Sequence, residues 1–243
     1  MRLETVVIDE RFCGPPESGQ GGYCCGLLAR PLPGVVEVSL RAPPPLGRPL
    51  IIERVEDRQL ALRDGNTLIA QAGSGELDLQ PPRSVTLDEA ESAVASYPGF
   101  KHHAFPTCCA CGPERDEGEG LRLFPGPVVG HSVVACPWTP HAWLADESGF
   151  VQPEFVWAAL DCPTAFACEL GEAWAIVLAR LTARIDRPLR AEKAHIVMAW
   201  SLGRDGRKHH AACAVCDQDG DVLAMSRALW IEPKDRKAFG AAG

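Results

Sequence analysis

The sequence predicts an α+β fold in which one unit, a buried helix followed by an antiparallel meander, occurs twice. Three observations predict it. Two stretches, residues 20–30 and 155–168, are apolar almost throughout yet too short to span a membrane. Each is followed by segments that alternate apolar and polar residues, the period of half-buried strands. Turn signals rich in Gly, Asp and Asn separate those segments, as antiparallel hairpins require.

The first copy opens with a strand over 5–8, a Gly/Pro-rich stretch over 13–19 and the apolar helix over 20–30. Strands follow over 35–40, 49–53, 59–63 and 67–71, with Asp64-Gly65-Asn66 as the hairpin between the last two. The second copy starts with a strand over 131–136. Its helix begins at Gln152-Pro153-Glu154, where the missing proline N–H costs nothing, and continues through Asp161. Strands over 175–185, 195–202, 209–217 and 222–231 follow; turns at 203–206 and 217–221 join the last three. Between the copies, Thr86-Leu87-Asp88-Glu89 reads as a capping-box helix start, the helix reaching about Ser96. A Cys-rich stretch over 101–113, an acidic Gly-rich loop over 114–120 and a strand-like 121–124 complete that segment. The expected organisation is repeat one over 1–81, a linker helix and Cys-rich insert over 82–130, repeat two over 131–236 and a tail over 237–243.

The copies align at their helices. Gln20-Gly21-Gly22-Tyr23 falls on Gln152-Pro153-Glu154-Phe155, which places Ala29 on Asp161. Identity is low, so the repeat rests on element order.

Composition narrows the function. With 243 residues, 46% of them hydrophobic, the chain can bury one large core or two small ones. A net charge of -8 argues against a general nucleic-acid binder, because phosphate neutralisation needs a basic face. The first ten residues carry charges among apolar ones and lack a small-residue cleavage site, so no secretory signal is expected. Eleven cysteines in that setting predict free thiols in a reducing, cytoplasmic compartment. Cys24, Cys25, Cys162, Cys168 and Cys213 lie among apolar residues, as small hydrophobes do.

Asp161 is the charge out of place, set in the apolar run over 155–168. A buried, unpaired carboxylate is costly. Either it caps a second helical segment, since Pro163 interrupts the helix two residues later, or it is a catalytic group whose pKa burial raises. Thr164, almost one turn on, is a candidate to bond a water or that carboxylate, or else its own helix backbone.

Cys108-x-x-Cys111 has zinc-knuckle spacing, with His103 or His102 as a further ligand. Four ligands are needed, and the second such pair, Cys213-x-x-Cys216, lies on a strand whose alternation points the two thiols to opposite faces. The main reading is therefore no metal and no cofactor, with zinc on Cys108, Cys111 and His103 as the minor one. His141 and His195 have no recognisable partner. No Gly-x-Ser-x-Gly elbow, Walker loop or Gly-x-Gly-x-x-Gly is present.

A helix and long meander given twice resembles the hotdog fold in its tandem, double form. The residues 187–191, 195–204 and 212–224 look like the sheet of acyl-CoA thioesterases of the PaaI/TesB kind. The resemblance implies two hotdog units, each an antiparallel sheet wrapped around a central helix. It also implies a Gly pair opening that helix and an acidic residue seven positions after the second Gly. Copy one has Gly21-Gly22 but Ala29 at the acidic position; copy two has Asp161 but Pro153-Glu154 in place of the Gly pair. In such enzymes one unit's helix start polarises the thioester carbonyl and the other unit supplies the carboxylate. The two departures then complement each other. Gly21, Gly22 and Tyr23 would offer backbone N–H groups to developing negative charge, Asp161 would be the base or nucleophile, and Gln20 and Gln152 would flank the substrate. One working and one degenerate site per chain follow.

The expected activity is hydrolysis of an acyl-CoA thioester by a cytoplasmic protein without cofactor, nucleic-acid partner or membrane span, with homodimerisation plausible. The alternatives are an enoyl-thioester hydratase or dehydratase, which would need a His/Asp pair, and a non-catalytic acyl-CoA or lipid-binding protein.

Overall fold

A single sheet of eleven strands runs through the computed structural model of this chain, which describes residues 1–168 and 176–234. The first half supplies β1 (Arg2–Val7), β2 (Val36–Leu40), β3 (Pro49–Glu56), β4 (Gln59–Asp64) and β5 (Thr67–Ser74). The second supplies β6 (Gly126–Pro127), β7 (Val133–Trp138), β8 (Val177–Ile185), β9 (His195–Asp205), β10 (Lys208–Cys216) and β11 (Val222–Ile231). Their order across the sheet is β1-β3-β4-β5-β2-β8-β11-β10-β9-β7-β6. Apart from the short β6, each half uses the same order, first-third-fourth-fifth-second, and the two meet second strand to second strand. The repeat inferred from element order is therefore present in the topology.

The seam is the antiparallel pair β2–β8, which sets Glu37 opposite Thr182 and Ser39 opposite Arg180. Thr182 Oγ1 donates to Glu37 at 3.1 Å and Arg180 Nε to Ser39 Oγ at 3.2 Å, so side chains reinforce the backbone ladder. The expected hairpin forms with Asp64 opposite Thr67, and Gly65 takes the positive φ of 55° that such a tight turn needs. The expected strand beginning at Ala175 and the tail over 237–243 fall partly or wholly outside the described residues.

Four α-helices are described: α1 (Gly21–Ala29), α2 (Leu87–Val94), α3 (Pro153–Ala159) and α4 (Cys162–Ala167). The capping box at α2 forms as its sequence requires, Thr86 Oγ1 accepting from Glu89 N–H while Glu89 accepts from Thr86 N–H. α1 ends at Ala29 because Pro31 and Pro33 follow. The expectation of a continuous second helix through Asp161 is corrected: it breaks between α3 and α4. Pro163 lacks the N–H that would continue the α3 ladder, and its ring would clash with the preceding turn. A second correction concerns 121–124, which is not a strand. Its backbone instead bonds the Cys-rich loop, Leu121 N–H to Cys109 O at 2.8 Å and Leu123 N–H to Ala110 O at 2.9 Å.

α1, α3 and α4 pack on one face of the sheet, where the main hydrophobic core lies. α2 covers the other face of the second half, over β6, β7 and β9. Strand alternation shows directly in β10: Cys213 and Val215 belong to the helix-side core, while Ala212, Ala214 and Cys216 belong to the α2-side one. Among the described residues no helix is long and apolar enough to cross a membrane.

Candidate active site between the two halves

The helix break that carries Asp161 is pinned by β11. Ser226, Ala228 and Trp230 alternate along that strand and so share a face. Ser226 Oγ donates to the Leu160 carbonyl at 2.9 Å, and Trp230 Nε1 donates to Thr164 Oγ1 at 2.7 Å. Thr164 Oγ1 in turn donates to the Asp161 carbonyl at 2.5 Å. Thr164 is thus committed to backbone and to Trp230, and its hydroxyl does not meet the Asp161 carboxylate. Asp161 occupies the cap position of α4, yet its side chain makes no capping bond.

The Asp161 carboxylate reaches across to the first half. Its Oδ2 accepts from Gly22 N–H at 2.8 Å and from Gln20 Nε2 at 2.5 Å. Among the described residues its Oδ1 has no hydrogen-bond partner, although the residue is only 2% exposed. Hydrogen bonds to a charged acceptor contribute about 1.5–3 kcal/mol each, less than full desolvation costs. Burial accordingly wins and pushes this carboxyl up to about 8, against the lowering pull of Gly22 N–H and Gln20.

The start of α1 is arranged around that contact. Gln20 is the extended N-cap of α1 and 1% exposed; its Oε1 accepts from Tyr23 N–H at 2.5 Å. Of the three expected backbone donors, Gly22 is therefore taken by Asp161 and Tyr23 by Gln20, while Gly21 N–H has no partner among the described residues. The Tyr23 ring packs instead in an aromatic cluster with Phe12 and Phe155.

Gly22 is needed for a second reason. A Cβ there would lie 2.5 Å from Asp161 Cβ and 2.6 Å from Trp157 O, and one at Gly26 would lie 2.5 Å from Glu154 Cα. The contacts Gly22–Ala158 and Gly26–Glu154 are exchanged by the repeat alignment, so α1 and α3 cross on a pseudo-twofold axis. The equivalent of the Asp161 site is then built from Ala29, Gln152 and Glu154. Gln152 caps α3 with backbone angles close to those of Gln20 but makes no side-chain cap bond, and Pro153 offers no N–H. Glu154 is 4% exposed, with Oε1 at 3.4 Å from Arg30 and Oε2 unpaired among the described residues.

The Cys-rich insert is core rather than periphery. Cys109 N–H bonds Cys13 O at 2.8 Å, and Cys108 Sγ lies 3.7 Å from Cys162 Sγ, so the loop touches both halves. Cys162 Sγ is also 3.4 Å from Gln20 Nε2, which places the thiols against the carboxylate site. The neighbouring thiols of Cys109, Cys111 and Cys162 hold the Cys108 thiol well below its usual range in spite of burial. His103 Nδ1 accepts from Phe105 N–H at 2.9 Å. His195 is buried, with its pKa lowered by desolvation, and His141 accepts from Trp143 N–H. Neither meets Asp161. Two surface concavities, of about 460 and 410 Å³, are lined by residues such as Arg41, Gln59 and Gln71, and Arg83, Cys216 and Val222, and neither borders the carboxylate.

Gln20, expected to flank the substrate, caps α1 and holds Asp161 instead. Its position, immediately before the Gly pair at a helix start that must be capped, signals the cap but not the bond to Asp161.

One sheet whose two halves meet edge to edge at β2–β8, each half packed on its own central helix, defines a double hotdog. Three solved structures agree with that architecture. The tesB protein of Mycobacterium avium subspecies paratuberculosis superposes with a TM-score of 0.61 at 11% identity, over 94% of this chain and 92% of that one. The acyl-CoA thioesterase II TesB2 of Mycobacterium marinum gives 0.60 at 12% identity, over 96% and 93%. A hot dog fold protein of unknown function from Alicyclobacillus acidocaldarius gives 0.54 at 13% identity, over 95% and 93%. At such identities the likeness establishes the fold. No protein-family model and no curated protein sequence matches the chain.

Proposed function

We propose that this protein hydrolyses an acyl thioester, with acyl-CoA as the substrate class, at one composite site between its halves. The observation that carries the reading is the Asp161 carboxylate of the second half, clamped through Oδ2 by Gly22 N–H and Gln20 of the first, with Oδ1 left free. The thioesterases among proteins of like fold support it.

In this reading the clamp fixes the carboxylate and Oδ1 takes a proton from the attacking water. The water oxygen bonds to the carbonyl carbon, the C–S bond breaks, and the CoA thiolate leaves and is protonated. Gly21 N–H, at the positive end of α1, is the donor still available to the developing oxyanion. Because Asp161 is enclosed, substrate reaches it only when the packing beside the helix start opens.

The test is release of free CoA thiol from a panel of acyl-CoAs of varied chain length and aromatic character. Turnover by the wild type that Asp161→Asn abolishes supports the reading. No release above buffer from folded protein overturns hydrolysis; a change in enoyl absorbance instead would establish a hydratase, and saturable binding without either would establish a binding protein.

A further inference from the structure

The Cys-x-x-Cys pair of the insert acquires a third thiol from a distant part of the chain. We propose that Cys108, Cys111 and Cys162 form a zinc site that ties the insert to α4 beside Asp161.

The spacing carries the proposal. The three Sγ atoms all lie within 4.8 Å of one another, and Cys108 and Cys162 are 3.7 Å apart. Tetrahedral zinc with Zn–S bonds of about 2.3 Å holds its sulfurs about 3.8 Å apart, so the ligands need hardly move. Their frame is braced by hydrogen bonds: Gly112 N–H to Cys108 O at 2.9 Å and Tyr97 Oη to Cys111 O at 2.9 Å. Gln20 Nε2, 3.4 Å from Cys162 Sγ, supplies the outer N–H donor that thiolate ligands commonly have.

Three thiolates leave one tetrahedral position, which water fills: among the described residues the Asp161 carboxylate is not within 4.8 Å of all three thiols and stays on Gly22 and Gln20. His103 is displaced as a ligand: its Nδ1 lone pair accepts the Phe105 N–H, which leaves the single proton of a neutral ring on Nε2 and no lone pair there for a metal. Soft thiolates in tetrahedral array select zinc over the hard divalent ions. On binding, every thiol still protonated loses its proton to solvent, its S–H bond breaks and three Zn–S bonds form, with no electron transferred.

The proposal does not require hydrolytic activity, so the two stand or fall separately. The full chain is purified without chelator and its zinc measured, then the metal-free form is titrated with Co²⁺. The expected result is about one zinc per chain and intense thiolate-to-cobalt charge-transfer absorption with tetrahedral visible bands. Cys162→Ser is expected to lose zinc at least about tenfold, and Cys216→Ser, on the opposite face of the sheet, to retain it. If Cys162→Ser fails to fold, the cobalt spectrum of the wild type decides, its intensity reporting three thiolates. A reduced wild-type chain that takes up neither metal overturns the proposal, as does full zinc in a folded Cys162→Ser or a Cys108–Cys162 disulfide in protein that binds no metal.

Discussion

At Gly22 two demands meet on one residue: its N–H holds Asp161 Oδ2, and its missing Cβ lets α1 touch α3. Gly22→Ala should therefore cost about 1–3 kcal/mol through overpacking, read as a fall in thermal midpoint, and should impair turnover beyond what stability explains. Asp161→Asn keeps the shape but loses the basic oxygen. The expected effect is a loss of roughly 100-fold or more in kcat/KM for the acyl-CoA turned over, with near-ultraviolet circular dichroism unchanged. Glu154→Gln, in the pseudo-equivalent site where Ala29 stands for Asp161, should leave kcat/KM near the wild-type value. Asp161 itself was legible in the sequence as a charge among apolar residues, and so was the complementary loss at Ala29 and Pro153. The clamp through Gln20 was not, because nothing local to Gln20 reveals a carboxylate 141 positions away. Thr164 illustrates the reverse: its spacing from Asp161 offered two roles, and the backbone one is what the structure displays.

Elements were legible wherever their own residues decide them. The α2 capping box and the Gly65 hairpin depend on side chains and backbone freedom within a few residues, and both formed where expected. The break between α3 and α4 was half legible: Pro163 signalled an interruption, but the apolar run suggested helix through Asp161, whereas the chain already breaks at Leu160–Asp161, where β11 bonds hold it. Ser226→Ala should leave the buried Leu160 carbonyl unpaired at a cost of about 1–3 kcal/mol, measurable by urea unfolding. Residues 121–124 have strand composition, but their partner is the Cys-rich loop. A pH signature belongs to the hairpin of β9 and β10. Glu232 lies 2.7 Å from His209 Nε2 and 2.8 Å from Arg204, and the His209 hydrogen bond comes first in pulling its carboxyl below the usual range. Since the folded-state pKa is the lower one, this contribution is complete above the unfolded value of about 4.3 and is lost as pH falls through the folded one. The stability gap between wild type and Glu232→Gln should accordingly be present at neutral pH and close on acidification; a gap constant down to acid pH would refute the assignment.

Across the whole molecule the sheet is continuous through the β2–β8 seam, the helices cross at the pseudo-twofold axis, and the insert touches both halves. Unfolding one half would strip the other of its edge and its helix partner. A single calorimetric transition is expected, with calorimetric and van't Hoff enthalpies equal; two resolved transitions would show that the halves are energetically separate. The doubled architecture was readable because element order survives when identity does not. The crossing of α1 and α3 was not, since a helix–helix contact between repeats leaves no period in either.

The linkage of the halves in one polypeptide bears on how many substrates the protein handles. A pair of identical separate units must carry every substitution in duplicate, so neither of its sites can be spared while the other is kept. Under the proposed function the aspartate need be retained once and the glycine start once, on opposite halves. The pseudo-equivalent position is free to trade acid–base chemistry for an ion pair between Glu154 and Arg30. Under the proposed function stoichiometry would follow from connectivity: one turnover centre per chain, fixed by covalent linkage instead of by cooperativity between sites.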